Sequence, residues 1–211
     1  MTRISATDRR SALVRSALVV VAARGVAQAT TRAIVAEAGM SLASFHYAFN
    51  SRDELIAELV GYVVDREATA ILLEEVDADL DHGTHDDHWE RPILAQVLRS
   101  GMIRYLEHVR ADPMHEKAML ELTQYALRDP GLEHLARAQY RRYHALAAEA
   151  LVTAASRSGT VWRLPVADVS RLLVALTDGL TLTWLVDRDD LAAMQLIDFS
   201  ANSLAALAEP A

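Results

Sequence analysis

The sequence predicts an all-α protein of about nine helices, with a small N-terminal helix-turn-helix domain followed by a larger helical domain. Two observations carry this. Ala, Leu, Arg and Glu are frequent, alternation of β-branched residues is nearly absent, and Gly and Pro number only 8 and 5 in 211 residues. The stretch Thr30 to Leu55, TTRAIVAEAGMSLASFHYAFNSRDEL, then reads as two short helices around a glycine turn. With 52% hydrophobic residues the chain can bury a sizeable core.

The elements follow in order. Residues 1–7 lack periodicity and read as a flexible arm; its Arg3, with Arg9 and Arg10 just beyond, could touch phosphates, but a solvated end is preferred. A first helix runs from about Asp8 to Ala23, with Leu13, Ala17, Val20 and Val21 on one face, and Gly25 ends it. Thr30 and Thr31 are cap candidates for a second helix whose apolar face holds Ile34, Val35 and Ala38. Gly39 suits the left-handed residue that closes such a helix, and Ser41 caps the next. That third helix carries Phe45 and Phe49 four residues apart, facing a small core. Its exposed part carries Leu42, Ala43, Ser44 and His46: the first two suit thymine methyls, the others base edges or phosphates. For His46 the alternative is an exposed helix residue without a role.

Ser51-x-x-Glu54 is a capping box, so a fourth helix starts there and reads through Leu55, Leu59 and Val63 to about Leu80. Asp81 to Glu90 is a polar loop. A helix from Pro92 to Arg110 follows, broken by Asp112-Pro113. Another spans Met114 to Leu127, then Asp129-Pro130-Gly131 turns into a long helix ending near Ser156. Gly159 to Pro165 reads as a loop, and Val166–Val186 and Asp190–Leu207 as the last two helices.

Charge divides the chain. Residues 1–53 carry seven Arg against Asp8, Glu37 and Asp53, a net +4, whereas residues 54–211 carry 14 basic against 26 acidic side chains, a net −12. Only the face near phosphate must be basic, so an overall −8 does not exclude DNA. The absence of cysteine excludes disulfides and thiol catalysis. The apolar run Ala17 to Ala23 is too short to span a bilayer, no signal peptide is evident, and a cytoplasmic location is expected.

The string Gly25, Thr31, Ile34, Val35, Ala38-Gly39-Met40-Ser41, Ala43, Ser44, Phe45-His46-Tyr47-Ala48-Phe49, Arg52, Leu55 resembles the signature of the TetR family of transcriptional regulators. The resemblance is specific over the N-terminal portion only. It implies a DNA-binding domain at 1–52, and an effector-binding and dimerisation domain at 53–211. It also implies a repressor that binds a palindromic operator as a homodimer and is released by a small molecule. By resemblance Thr31 and Tyr47 hold phosphates, Arg52 stands for a phosphate-binding Lys, and Arg32 reaches a base edge. Ser41, at the cap, completes the DNA set. Ala43 stands for a common Gly and Ala48 for a common His, which removes one phosphate contact.

A single such helix reads few base pairs, and a two-fold dimer doubles the site with half-sites roughly 34–36 Å apart. Leu172, Leu176 and Leu180, with Leu191, Leu196 and Phe199, are the expected interface on the last two helices. The expected effector pocket draws on amphipathic residues within apolar faces: Tyr105, His108, Met119, Thr123, Tyr125, Thr177, Thr181 and Trp184. Gly179, mid-helix, either admits a close helix or leaves room for ligand.

Two other readings are weighed. His82, His85 and His88 with Asp81, Asp86 and Asp87 suggest a metal-dependent enzyme, but their spacing fits no helical ligand pair and a solvated acidic loop is preferred. A helical interaction protein that has lost DNA binding is opposed by the basic N-terminal segment. No enzyme activity, metal or cofactor is expected.

Overall fold

A computed structural model of the protein describes the backbone of residues 5–73 and 93–211, and the side chains of 5–63 and 93–211. The His/Asp loop at 81–90, Arg3 and Pro92 lie outside the described residues. Among those described, the chain forms α1 (Ala6–Arg24), a single 3-10 turn (Val26–Gln28), α2 (Thr31–Glu37), α3 (Leu42–Ala48), α4 (Arg52–Leu73), α5 (Ile93–Ala111), α6 (Pro113–Arg128), α7 (Glu133–Ser158), α8 (Val166–Asp187) and α9 (Asp190–Ala205). Two short strands, β1 (Thr160–Trp162) and β2 (Ala208–Pro210), complete it. The all-α expectation is met.

Two compact units share the chain. The first comprises the residues up to Glu67 together with Asp112–Tyr140; the second comprises Ala68–Ala111 and Arg141–Ala211. Compactness groups α6 with the helix-turn-helix, whereas the resemblance implies a division at 52/53.

In the first unit α1 packs on α2, α3 and α6. Leu13, Ala17, Val20 and Val21 of α1 are buried with Ile34, Val35, Phe45, Phe49, Leu55 and Leu59, and α6 adds Ala118, Met119 and Leu122. A two-helix motif cannot bury its own apolar faces, and this shared core does it. In the second unit α9 packs on α5 and α8. Its core joins Leu94 and Leu98, Leu151 and Ala154, Val169, Ala201 and Leu204.

The stretch 159–165, expected as a loop, contains β1, which pairs antiparallel with β2: Thr160 opposite Pro210, Val161 opposite Glu209, Trp162 opposite Ala208. The Trp162 indole donates to the Leu151 carbonyl at 3.1 Å, fixing the ribbon to α7. Strands of three residues carry no alternation to detect. The last helix stops at Ala205 rather than Leu207 because the chain there turns into this ribbon, with Arg163 N donating to Leu207 O at 2.9 Å.

Candidate DNA interface

The turn between α2 and α3 is closed at both ends by local chemistry. Thr30 accepts Ala33 N at 3.2 Å and opens α2. Ala38 ends the helix and Gly39 sits at φ +63°. Gly39 N then donates to Ala36 O and Met40 N to Val35 O, the paired bonds of a Schellman ending. Ser41 accepts Ser44 N at 3.2 Å and opens α3.

Seven residues make α3, too few for an isolated helix to hold in water. Its stability comes from Phe45 and Phe49, both 1% exposed, whose ring centroids lie 5.6 Å apart. Turning these inward turns the remainder outward. Ser41, Leu42, Ala43, His46 and Tyr47 are exposed and Ser44 is half-buried. Tyr47 stands 84% free of the protein. His46 rests edge-on against Phe45, 5.7 Å between centroids. Arg32 is exposed and Thr31 half-buried, at the start of α2. Eight of the nine DNA-set residues thus lie on α2, α3 and the cap between them, six of them exposed and Thr31 and Ser44 half-buried.

Arg52 departs from this set. Its Nε donates to Ala29 O at 2.9 Å, Nη2 to Val26 O and Nη1 to the Tyr125 hydroxyl at 3.1 Å, and the guanidinium lies 5.5 Å from the Tyr125 ring centroid. The fork closes the 3-10 turn that leads into α2, so its donors point into the protein. Arg10, expected to be solvated or near phosphate, is also held within the protein. It is bound by Glu54 at 2.9 Å, by Glu58 and by the Ala48 carbonyl, and stacks 4.1 Å from the Phe49 ring centroid. One arginine on α1 thus ties the end of α3 to the start of α4.

The Glu54 carboxyl is held below the usual glutamate range, first by the Asn50 backbone N–H, then by Arg10 and by the Asn50 side chain. Ser51 caps α4 by accepting Glu54 N at 3.0 Å, but Glu54 reaches back to Asn50 N at 2.8 Å, one residue before the cap.

Glu121, on α6, was not legible as a site residue. Its Oε1 accepts the Val26 backbone N–H at 2.6 Å from 95 residues away, and no local pattern marks such a contact.

The eight expected effector residues divide between the units. Met119 is core in the first unit, where Thr123 donates to Met119 O at 3.0 Å and approaches Gln139 Oε1 at 3.1 Å, and Tyr125 holds Arg52. In the second unit Tyr105 and Thr181 hydroxyls meet at 2.6 Å, and Thr177 bonds back to the carbonyls of Leu173 and Val174. His108 is half-buried. The Trp184 indole donates to Asp190 at 2.8 Å, which with Arg110 holds that carboxyl below its usual range. The Arg188 guanidinium stacks 4.2 Å from the Trp184 ring centroid. A cavity of about 230 Å³ opens between α8 and α9, lined by Thr183, Trp184, Asp187, Asp189, Ala192 and Ala193. Of the expected residues only Trp184 borders it.

Of the expected interface, Leu172, Leu191 and Phe199 are exposed by 45%, 70% and 64%, while Leu176 and Leu196 are half-buried. Leu180 is fully buried and offers no surface to a partner. It lies one residue, about 100° of helical rotation, from Gly179 and faces the core. Leu182 and Val186, 52% and 71% exposed, lie on the outward face instead.

Comparison with known proteins completes the picture. Residues 13–59 match the family described as bacterial regulatory proteins, tetR family, and residues 94–209 match the BetI-type transcriptional repressor C-terminal family. The HTH-type nicotine-responsive transcriptional repressor HdnoR of Paenarthrobacter nicotinovorans is 29% identical over 196 residues, 93% of each chain. Among solved structures, a transcriptional regulator from Rhodococcus sp. Rha1 superposes with TM-score 0.71 at 18% identity, over 96% of this chain and 98% of that one. The multidrug binding protein EbrR complexed with imidazole gives TM-score 0.59 at 23% identity, over 91% and 94%.

Proposed function

The chain belongs to the TetR family of transcriptional regulators, and from that premise we propose that it represses transcription by binding a palindromic operator as a homodimer. A small molecule bound to the region from 53 onward releases it, while residues 1–52 read the DNA. It acts in the cytoplasm and carries out no catalytic step.

The observation that carries this reading is the division of α3. Phe45 and Phe49 hold it to the core, and Leu42, Ala43, His46 and Tyr47 stand exposed along the other face. Such a helix, entering a major groove, presents methyl-contacting and hydrogen-bonding groups to base edges. Thr31, Ser41, Ser44 and Tyr47 serve as phosphate or base contacts, with Arg32 beside them. Arg52 supports them from behind by closing the 3-10 turn.

The effector reading draws support from the relative HdnoR, whose name records a response to nicotine, and from EbrR, described as a multidrug binding protein. In the second unit, Tyr105, His108, Thr177, Thr181 and Trp184 offer the aromatic and hydroxyl mixture that such small molecules use. Linkage requires that an effector which weakens DNA binding be itself bound more weakly by the DNA complex, by the same factor.

Selection of duplexes from a random pool at two salt concentrations tests this. The expected result is a palindrome, with affinity falling steeply as salt rises. Absence of enrichment at both salts, with and without candidate effectors, would remove the reading.

A further inference from the structure

We propose that Arg128, the last residue of α6, is a further DNA contact, a cation set against a backbone phosphate beside the start of α2. The inference rests on the DNA-binding reading above and carries the interface beyond residue 52.

The cation expected at the phosphate is engaged inside the protein. Arg52 gives its donors to Val26 O, Ala29 O and the Tyr125 hydroxyl, and a fork filled in this way has no donor aimed at a ligand. The charge at this edge of the helix-turn-helix must come from elsewhere.

The course of α6 supplies it. Glu121 Oε1 accepts the Val26 N–H at 2.6 Å. One turn on, the Tyr125 hydroxyl meets Arg52 at 3.1 Å, and Arg52 Nε holds Ala29 O. Successive turns of α6 thus follow the chain from Val26 to Ala29, in the direction of Thr30 and Thr31. Arg128 is the next position on this face. Glu121, Tyr125 and Arg128 fall within about 60° of one another on a 3.6-residue helix, and Arg128 stands about 4.5 Å farther along the axis than Tyr125. It comes level with the start of α2, beside Thr31 and Arg32. The same compact unit holds α2, α3 and α6.

The Arg128 charge is available. The side chain is exposed, and among the described residues it forms no ion pair. The two acids nearest it on this path are engaged elsewhere: Glu121 with Val26 N, and Asp129 with Gly131 N at 2.8 Å. Arg137 on α7 differs, because Glu133 holds it at 2.7 Å. A cation in the last turn of a helix also complements the helix dipole. That role shows in stability and leaves the salt dependence of DNA binding unchanged.

Salt titration of DNA affinity separates the two roles. The full chain is titrated by fluorescence anisotropy against the duplex recovered by selection and against a random-sequence duplex. Arg128→Gln should make the slope of log affinity against log salt shallower by about 0.9 for each chain bound, about threefold in relative affinity per chain between 50 and 200 mM. Both duplexes should show the change, since phosphates carry no sequence. Arg128→Lys keeps the charge and should keep the slope, as should Arg137→Gln. An unchanged slope in Arg128→Gln overturns the proposal and leaves the DNA reading standing; a lowered melting temperature beside it would assign Arg128 to the dipole of α6. Wild-type protein that binds neither duplex at either salt overturns the DNA reading as well.

Discussion

Glu121 Oε1 accepts the backbone N–H of Val26 at 2.6 Å, and the same oxygen would lie 2.7 Å from a Cβ at Gly25. The α6 carboxylate thus occupies the space that glycine leaves, at the bend where the chain passes from α1 toward the helix-turn-helix. Gly25 itself has φ +84° and ψ 161°, a region essentially reserved for glycine.

Gly25→Ala should therefore be costly twice, through backbone strain of about 1–3 kcal/mol and through displacement of Glu121. Urea unfolding reads this as a lower midpoint at unchanged slope. Glu121→Ala should cost about 1–3 kcal/mol by leaving the buried Val26 amide unpaired, while Glu121→Gln, which keeps an acceptor, should cost less. Equal stability for all three variants would show that the clasp carries no weight.

Arg52→Lys should destabilise by about 1–2 kcal/mol, because a lysine ammonium cannot serve Val26 O, Ala29 O and Tyr125 in a planar fork. Tyr125→Phe removes one of these bonds and should cost about 0.5–1.5 kcal/mol. The salt dependence of DNA affinity should be unchanged in Tyr125→Phe and nearly so in Arg52→Lys. An Arg52→Ala slope lower by about one unit would instead assign this residue to a phosphate.

Tyr47→Ala and His46→Ala should leave stability within about 0.5 kcal/mol, as both side chains are exposed. Each should weaken operator binding, by about 1–3 kcal/mol where it contacts a base edge. Thermal melts and binding isotherms on the same preparations separate the two effects, and full operator affinity in the double variant would discard α3 as the reading element.

Acid should loosen the α1–α4 junction. The Glu54 carboxyl has a lowered folded-state pKa, so its contribution is complete above the ordinary glutamate range and is lost as pH falls through the lowered value. Replacing it in Glu54→Gln should flatten the acid limb of a stability-against-pH curve and change little of its slope near neutrality. Identical acid limbs would mean that the Asn50 and Arg10 bonds to this carboxylate do not favour the folded state.

What the sequence reveals is what short-range chemistry dictates. Thr30, Gly39, Ser41 and Ser51 could be placed as caps because each acts within four residues of itself, and the Phe45–Phe49 spacing fixed which side of α3 faces inward. Long-range pairings left no such trace. Arg52 looks like any surface cation until Val26, Ala29 and Tyr125 surround it, and Tyr125 looks like a pocket residue until Arg52 reaches it. Leu180 illustrates a second limit. In a helix apolar on several faces, a one-residue step separates the core from the outside, and hydrophobicity alone does not say which leucine is which.

The inward anchoring of α3 by two phenylalanines has an evolutionary consequence. Leu42, Ala43, His46 and Tyr47 contribute little to folding, so they are free to vary without a stability penalty. On the proposed DNA-reading role of α3, a duplicated copy of this gene would acquire a new target sequence in a few substitutions while its core stays intact. The same freedom lets an engineer randomise those four positions as a library in which nearly every member folds.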